Sequence, residues 1–381
     1  TPVMAGPAGN PSIAALCDLE KLPLFIACDV AVAETSMYAD YIFPDLSIWE
    51  RWGFPHNSPD VQTKGTKIRQ PLVAPITETV TVFGEEMPIS MESVMLAIAE
   101  QLGLPAFGKD GLGEGMDLIR PEDYYLKRVA NTAWGDKAGE EVPAASQAEM
   151  ETFYKAHAHL PASVYDPVKW ERAVGKFWPQ VVYVLNRGGR FEDFPKAYKG
   201  DKVAHQFGGQ FNIFVEPVAQ ARNPVSQELF SGLPLYEPVR NAKGEEVADQ
   251  GYEFKLITFK EVFGGQSRTP GNYWSQVALL PENYVLMNAA DMKRLGLKDG
   301  DEVRLVSATN PEGIWELQNG KARPAAGKVK GIQGLRPGTV AVSWHYGHWA
   351  YGAQDMVVDG VTVKGDARRG TGICPNVVMR V

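Results

Sequence analysis

The chain has 381 residues, of which 44% are apolar and 22% charged, with a formal net charge of -8. This is the make-up of a globular protein too long for one hydrophobic core, so two or more domains are expected. No apolar run approaches the roughly 18 residues of a membrane span, and the acidic balance excludes sequence-independent nucleic-acid binding, which needs a basic face.

Cys17, Cys28 and Cys374 are odd in number and far apart. They form neither a disulfide framework nor a Cys-x-x-Cys metal site, and buried thiols are the expectation. The sequence opens Thr1-Pro2-Val3, with no initiating methionine and no signal peptide, and soon enters a strand-like segment that needs sheet neighbours. We expect it to be the carboxy-terminal portion of a longer polypeptide.

In chain order, Leu24 to Val30 is a continuous apolar run that reads as a strand buried on both faces, and Tyr41-Ile-Phe43 is a second. The connection Ala31 to Asp40 is near the minimum for a parallel crossover with a short helix, which gives a βαβ unit. Ligands of open parallel sheets sit beyond the carboxyl ends of the strands. That places Asp29, Thr35 and the Asp45 to Glu50 segment either at a ligand crevice or in ordinary caps and turns. Trp52 to Pro75 is proline-broken loop. Ser90 caps a helix whose Met91, Val94, Met95, Ile98 and Leu102 form an apolar face for the core, and Gly103 ends it. Pro121 starts another helix, and Ala145 to Lys176 reads as further helix broken at Pro161 and Pro167. His157 and His159 read as solvated surface histidines.

Val181 to Leu185 reads as a strand. The Arg187-Gly-Gly-Arg190 turn after it is either an anion seat or a hairpin with solvated arginines. Asn241 to Gln250 reads as a charged linker. Beyond it, strands are expected at Tyr252 to Phe259, Lys328 to Ile332, Thr339 to Ser343 and Val377 to Val381. The most self-determined stretch is Met287 to Val306. Ala289, Met292 and Leu295 keep helical spacing, Gly296 supplies a left-handed stop, Asp299-Gly300 turns, and Val303 and Leu305 alternate with charged residues as in a half-buried strand.

Five pieces occur here in an order that resembles the molybdopterin oxidoreductases of the dimethyl sulfoxide reductase family. They are Leu256 to Thr269, Asn288 to Val306, Arg336-Pro-Gly338, Trp344-His-Tyr-Gly347 and Gly372-Ile-Cys-Pro-Asn376. Glu34 to Asp45, followed by Glu50 and Arg51, resembles the family's pattern after the central strand of a Rossmann-like domain. The resemblance implies a partial α/β Rossmann-like domain over residues 1–245, with a helical insertion at about 103–180, followed by a dinucleotide-binding double-psi β-barrel over 246–381. Arg187 to Arg190 and the insertion are most similar to the tetrathionate-reducing members, with arsenate- and polysulfide- or thiosulfate-reducing members next. A non-catalytic double-psi barrel used for binding is the other function class.

The family implies molybdenum or tungsten held by two pterin guanine dinucleotides, with the protein supplying position and electrostatics. In this chain it implies cofactor contacts from Thr258, Lys260, Gly265, Gln266, Ser267, Arg268 and Thr269 around the pterin and pyrophosphate. Asn288 and Asp291 would face the nucleotide, Trp344, His345 and Asn376 the ring system, and Asp29 and Thr35 would serve from the other domain. No metal ligand is assigned, since that side chain and the Fe–S cysteines are expected in an amino-terminal part. The family further implies iron-sulfur electron-transfer and membrane-anchor subunits as partners, and a periplasmic location for anaerobic respiration.

Overall fold

The structure is a computed structural model that describes residues 18–55, 63–205, 212–224, 226–238, 245–246, 251–261, 274, 280–316, 322–344, 346–350 and 352–375. By contacts the chain falls into two compact units. One comprises Cys28–Val30 with Phe43–Gly209, and the other Thr1–Ala27, Ala31–Ile42 and Gln210–Val381.

Strand β1 (Ile26–Asp29) pairs with β2 (Tyr41–Pro44). The Phe25 carbonyl accepts from the amides of Asp40 and Tyr41, and the Asp29 carbonyl from Asp45, so the partners advance together and the strands run parallel. The crossover holds a single 3-10 turn, Ser36–Tyr38, in place of the expected helix. It is too short for more, and the Ser36 hydroxyl closes it by accepting the Ala33 amide at 2.7 Å. The expectation of two buried faces also fails: Leu24, Ile26, Val30, Tyr41 and Ile42 are exposed.

The unit containing 43–209 is mainly helical. Its short strands β3 (Gly65–Lys67), β4 (Thr79–Val82) and β5 (Glu85–Pro88) precede α1 (Met91–Leu102), α2 (Pro121–Trp134), α3 (Gln147–His157), α4 (Pro167–Val174) and α5 (Trp178–Asn186), with β6 (Gly189–Phe191) returning to pair β3 before the small hairpin β7 (Tyr198–Lys199) and β8 (Lys202–Val203). The ends of α1 follow the sequence: Ser90 and Ser93 cap each other reciprocally, and Gly103 takes a φ of 59°. Its inward face does not. Ser93, Leu96 and Ala99 are the buried residues, because the β4–β5 hairpin packs Val82 and Met87 there, while Met91, Met95, Ile98 and Leu102 are exposed.

The run Val181 to Leu185 is helix α5 and not a strand. Val181, Val182, Val184 and Leu185 are all buried, and an element enclosed this fully shows no periodicity to separate helix from strand. Pro179 in its first turn favours the helix, and packing on α2 and α3 overrides the β preference of valine. His157 is likewise buried, with Nδ1 2.8 Å from the Phe153 carbonyl and Nε2 3.1 Å from Gln70 Oε1; burial lowers its pKa. His159 is exposed and reaches the Leu72 carbonyl at 2.8 Å.

The second unit is built on a five-stranded mixed sheet in the order β11-β14-β10-β15-β9. Its members are β9 (Lys255–Phe259), β10 (Val285–Asn288), β11 (Glu302–Arg304), β14 (Ala326–Ile332) and β15 (Thr339–Ser343). Between them lie α6 (Ala289–Leu295) and the hairpin β12 (Ile314–Glu316) with β13 (Ala322–Pro324). β9 runs parallel to β15, β10 antiparallel to β15, and β10 parallel to β14. The helix-to-strand stretch forms as its residues require. Asn288 caps α6 through the Ala290 amide at 2.8 Å, and Gly296 stops it at a φ of 72°. Met292 packs with Val285, Val329, Val340 and Val342 in one core. No closed barrel is formed among the described residues, and the strand expected at 377–381 lies outside them, as does most of the linker expected at 241–250.

Candidate functional site

The register of the sheet divides the expected site residues between its two ends. Asn288 lies beside the start of β15, whereas Thr258 pairs with Val342 and Phe259 with Ser343 at its finish. The four steps from Thr339 to Ser343 separate these ends by about 13 Å.

At the first end, Asn288 and Asp291 are buried and hold the loop before β15. Asn288 Nδ2 donates to the Leu335 carbonyl at 2.6 Å, and the Asp291 carboxylate accepts the Gly338 amide at 2.8 Å and Arg294 Nη2 at 3.2 Å. At the second end, Thr258, Lys260 and Trp344 come together because β9 and β15 are parallel and finish side by side. The Trp344 amide donates to the Phe259 carbonyl at 3.1 Å, and Lys260 Nζ stands 5.4 Å from the centroid of the Trp344 ring. Thr258 and Lys260 are exposed, and Trp344 is 42% exposed. A cation, a hydroxyl and an aromatic face thus share one edge. Gly265, Gln266, Ser267, Arg268, Thr269, His345 and Asn376 lie outside the described residues. Asp29 falls within the Cys28–Val30 stretch of the other unit, and Thr35 is buried at the start of the 3-10 turn.

The segment that follows β15 is fixed by buried polar groups. Asn283 Nδ2 donates to the carbonyls of Ser343 at 2.6 Å and Ile373 at 2.7 Å, and its Oδ1 accepts the Ile373 amide at 2.8 Å. Gly347, at a φ of 75°, donates its amide to Thr371; a Cβ there would stand 2.6 Å from the Cys374 nitrogen, so only glycine fits. Burial pushes the Tyr346 hydroxyl up to about 12.

Sequence reasoning missed the pair beyond it. Glu34, fully buried, sits 3.0 Å from His348 Nδ1 and accepts the amides of Trp349 at 3.0 Å and Ala350 at 3.2 Å. Burial raises this carboxyl, but the hydrogen bond and charge of His348 with the Ala350 amide outweigh it and hold the pKa below the ordinary value. An ionised carboxylate only accepts, so His348 Nδ1 carries the proton. The one local hint was a glutamate closing the apolar run before Thr35; nothing connects it in sequence to a histidine 314 positions on.

The two arginines around Gly188 and Gly189 form no anion seat. Arg190 donates to the carbonyls of Thr132 at 2.9 Å and Glu140 at 2.6 Å, closing the end of α2, and Arg187 pairs with Glu149 at 2.7 Å and covers the Tyr183 ring. A separate cavity of about 40 Å³ in the helical unit is lined by Arg51, Trp52, Glu92, Glu122 and Tyr125 among others. Arg51 bridges Asp45 at 2.9 Å and Glu92 at 2.7 Å. Among the described residues no group of His, Cys, Asp and Glu could hold a metal ion, and no helix is long and apolar enough to cross a membrane.

Residues 254–373 match the family described as Molydopterin dinucleotide binding domain, which covers β9 to the Gly372-Ile373 turn and hence both ends of the sheet. The whole chain is 48% identical to a selenate reductase subunit of Mesobacillus selenatarsenatis, over 36% of that protein. It is 32% identical to a tetrathionate reductase subunit of Salmonella typhimurium, with 94% of this chain and 33% of that one aligned. It is 24% identical to the arsenate respiratory reductase molybdopterin-containing subunit of Shewanella sp., with 91% and 38% aligned. The chain therefore spans about a third of the length of these relatives. Taken with the ordered motifs from Leu256 to Asn376, these likenesses show that the chain belongs to the dimethyl sulfoxide reductase family of molybdopterin oxidoreductases.

Proposed function

We propose that this chain is the dinucleotide-holding part of a molybdenum oxidoreductase that reduces an oxyanion, selenate first, with tetrathionate and arsenate as the next candidates. The observation that carries the reading is the edge where Thr258, Lys260 and Trp344 meet. The ranking of substrates follows the identities, 48% to the selenate enzyme against 32% and 24% to the others. The tetrathionate preference drawn from Arg187 to Arg190 and the insertion is not specifically supported, since the 48% likeness is to a selenate reductase subunit and that to a tetrathionate reductase subunit is 32%.

The residues present fit a pterin dinucleotide. Lys260 offers an exposed cation to a phosphate, Thr258 a hydroxyl, and Trp344 a half-exposed ring on which a flat heterocycle can stack. When bound, the bis-dinucleotide molybdenum group supplies two-electron chemistry. The chain's own task is to hold and orient it. A charge-assisted bond from Lys260 contributes about 1.5–3 kcal/mol, enough to matter for retention and too little to hold the group alone. We assign the remaining enclosure to residues 265–269, His345 and Asn376, within a double-psi barrel over 246–381, and to a Rossmann-like domain over 1–245. A periplasmic location with iron-sulfur and membrane-anchor subunits belongs to the same proposal.

The test is the full-length enzyme, purified anaerobically and assayed with reduced viologen on selenate, tetrathionate and arsenate, for wild type and Lys260→Ala. Bound molybdenum and pterin with fastest turnover of selenate, and less pterin in the variant, are expected. A wild-type protein without pterin would sink the reading, and a strict preference for tetrathionate would overturn the substrate assignment.

A further inference from the structure

We propose that Glu34 is a positioning residue of the cofactor edge: it fixes the His348–Ala350 turn and, through it, the segment that begins at Trp344 beside Lys260. The inference rests on the reading of that edge as the dinucleotide site.

Three donors converge on one carboxylate that water does not reach: His348 Nδ1, the Trp349 amide and the Ala350 amide. A buried carboxylate is retained only where such donors replace its hydration. Here they all come from a single turn 314 to 316 positions away, so the carboxylate defines the turn's place and no helix or strand does. The described amides of Trp349 and Ala350 both go to Glu34. Trp349 and Ala350 also pack in the core of this unit, but the Trp349 indole Nε1 adds no hydrogen bond among the described residues, so Glu34 supplies the polar hold on the turn. The carbonyl of His348 is fenced on its other side, where a Cβ at Gly370 would stand 2.3 Å away. The head of the same segment is tied by Asn283 at Ser343 and by Phe259 at Trp344. Trp344, the half-exposed ring of the edge, stands at the head of that segment, with the Gly347 amide on the Thr371 carbonyl between it and the Glu34 contacts. Loss of the Glu34 contacts would free the distal anchor and let the ring turn away from Lys260.

The substitution Glu34→Gln keeps an oxygen for both amides and lets Nε2 donate to His348 Nδ1 once the ring changes tautomer. Glu34→Ala keeps none of this. In the full-length enzyme, pterin retained per chain after gel filtration is read by the fluorescence of its oxidised form, beside the melting temperature. Leu126→Ala, in the core of the helical unit, serves as a variant destabilised without touching the edge. We expect Glu34→Ala to retain about a tenth of the wild-type pterin, as when a group orienting a ligand holder is removed, with Glu34→Gln and Leu126→Ala close to wild type. Full retention in Glu34→Ala, or losses in Glu34→Ala and Leu126→Ala that simply track their melting temperatures, would overturn the proposal. Wild-type enzyme lacking pterin would instead remove the site reading on which it stands.

Discussion

Lys260 Nζ lies 5.4 Å from the ring centroid of Trp344, two residues that are adjacent only because β9 and β15 run parallel and end together. An exposed cation–π contact contributes about 0.5–1 kcal/mol. Trp344→Ala should therefore shift the thermal stability of the cofactor-free protein by no more than that. Its cost should appear in cofactor retention, because a half-exposed ring is a stacking platform more than a core residue. Equal pterin content in wild type and Trp344→Ala would show the ring to be surface packing.

The carboxyls of Glu34 and Glu122 drive stability in opposite directions with pH. The Glu34 pKa is lowered in the folded state from its ordinary 4.5, so its contribution is fully present above that value and is lost as pH falls through the folded pKa. Glu34→Gln should flatten the acid limb of a plot of melting temperature against pH. An acid limb unchanged by the substitution would mean that other carboxylates govern it.

Glu122 is the reverse case. Burial pushes its carboxyl up to about 7, more than the Arg120 guanidinium 2.9 Å away lowers it. The folded state keeps a proton that the unfolded state releases above 4.5, so stability falls as pH rises from 4.5 toward 7. The penalty above pH 7 is on the order of 3 kcal/mol. Glu122→Gln should remove that slope and raise the melting temperature at pH 8 relative to pH 5. A lower melting temperature for the variant at both values would show that the ionised pair stabilises the fold.

What the sequence made legible is what neighbours in the chain decide. Asn288, Gly296 and the Asp299-Gly300 turn fix α6 and the entry to β11 by short-range bonds, and Ser90 with Gly103 fix the ends of α1. Elements decided by distant packing were misread. Val181 to Leu185 has the valines of a strand, yet it is enclosed by α2 and α3 and completes its hydrogen bonds internally as α5. The stripe of α1 was found, but which side faces inward depends on the β4–β5 hairpin. Nothing in the sequence joins Glu34 to His348, since their partnership is a product of the fold.

The arginines at 187 and 190 separate packing from ligand binding. Arg190 satisfies carbonyls at the end of α2, so Arg190→Ala should cost about 1.5–3 kcal/mol, the range for hydrogen bonds from a charged group. Arg187→Ala, at a partly exposed pair with Glu149, should cost under about 1 kcal/mol. Neither should change pterin content or oxyanion turnover at a temperature where both variants are folded. Loss of pterin in either variant without loss of stability would restore the anion-seat reading.

Met91, Met95, Ile98 and Leu102 form an exposed stripe along α1, from 37% to 67% accessible, and the chain spans about a third of the length of its relatives. A stripe this apolar on a helix with well-formed caps is a surface that associates when nothing covers it. The polypeptide of residues 1–381 expressed alone should therefore oligomerise. It should also hold little molybdenum, because a two-armed dinucleotide group would find only part of its polar contacts while the loops around it still lost their freedom. Met95→Lys with Leu102→Lys should shift that polypeptide toward monomer in analytical ultracentrifugation. The same pair placed in the full-length enzyme should lower its melting temperature, since charges would then be forced against the covering chain. If the polypeptide of residues 1–381 is monomeric, carries about one molybdenum per chain and turns over selenate with reduced viologen, then the stripe is ordinary surface and these residues complete the site by themselves.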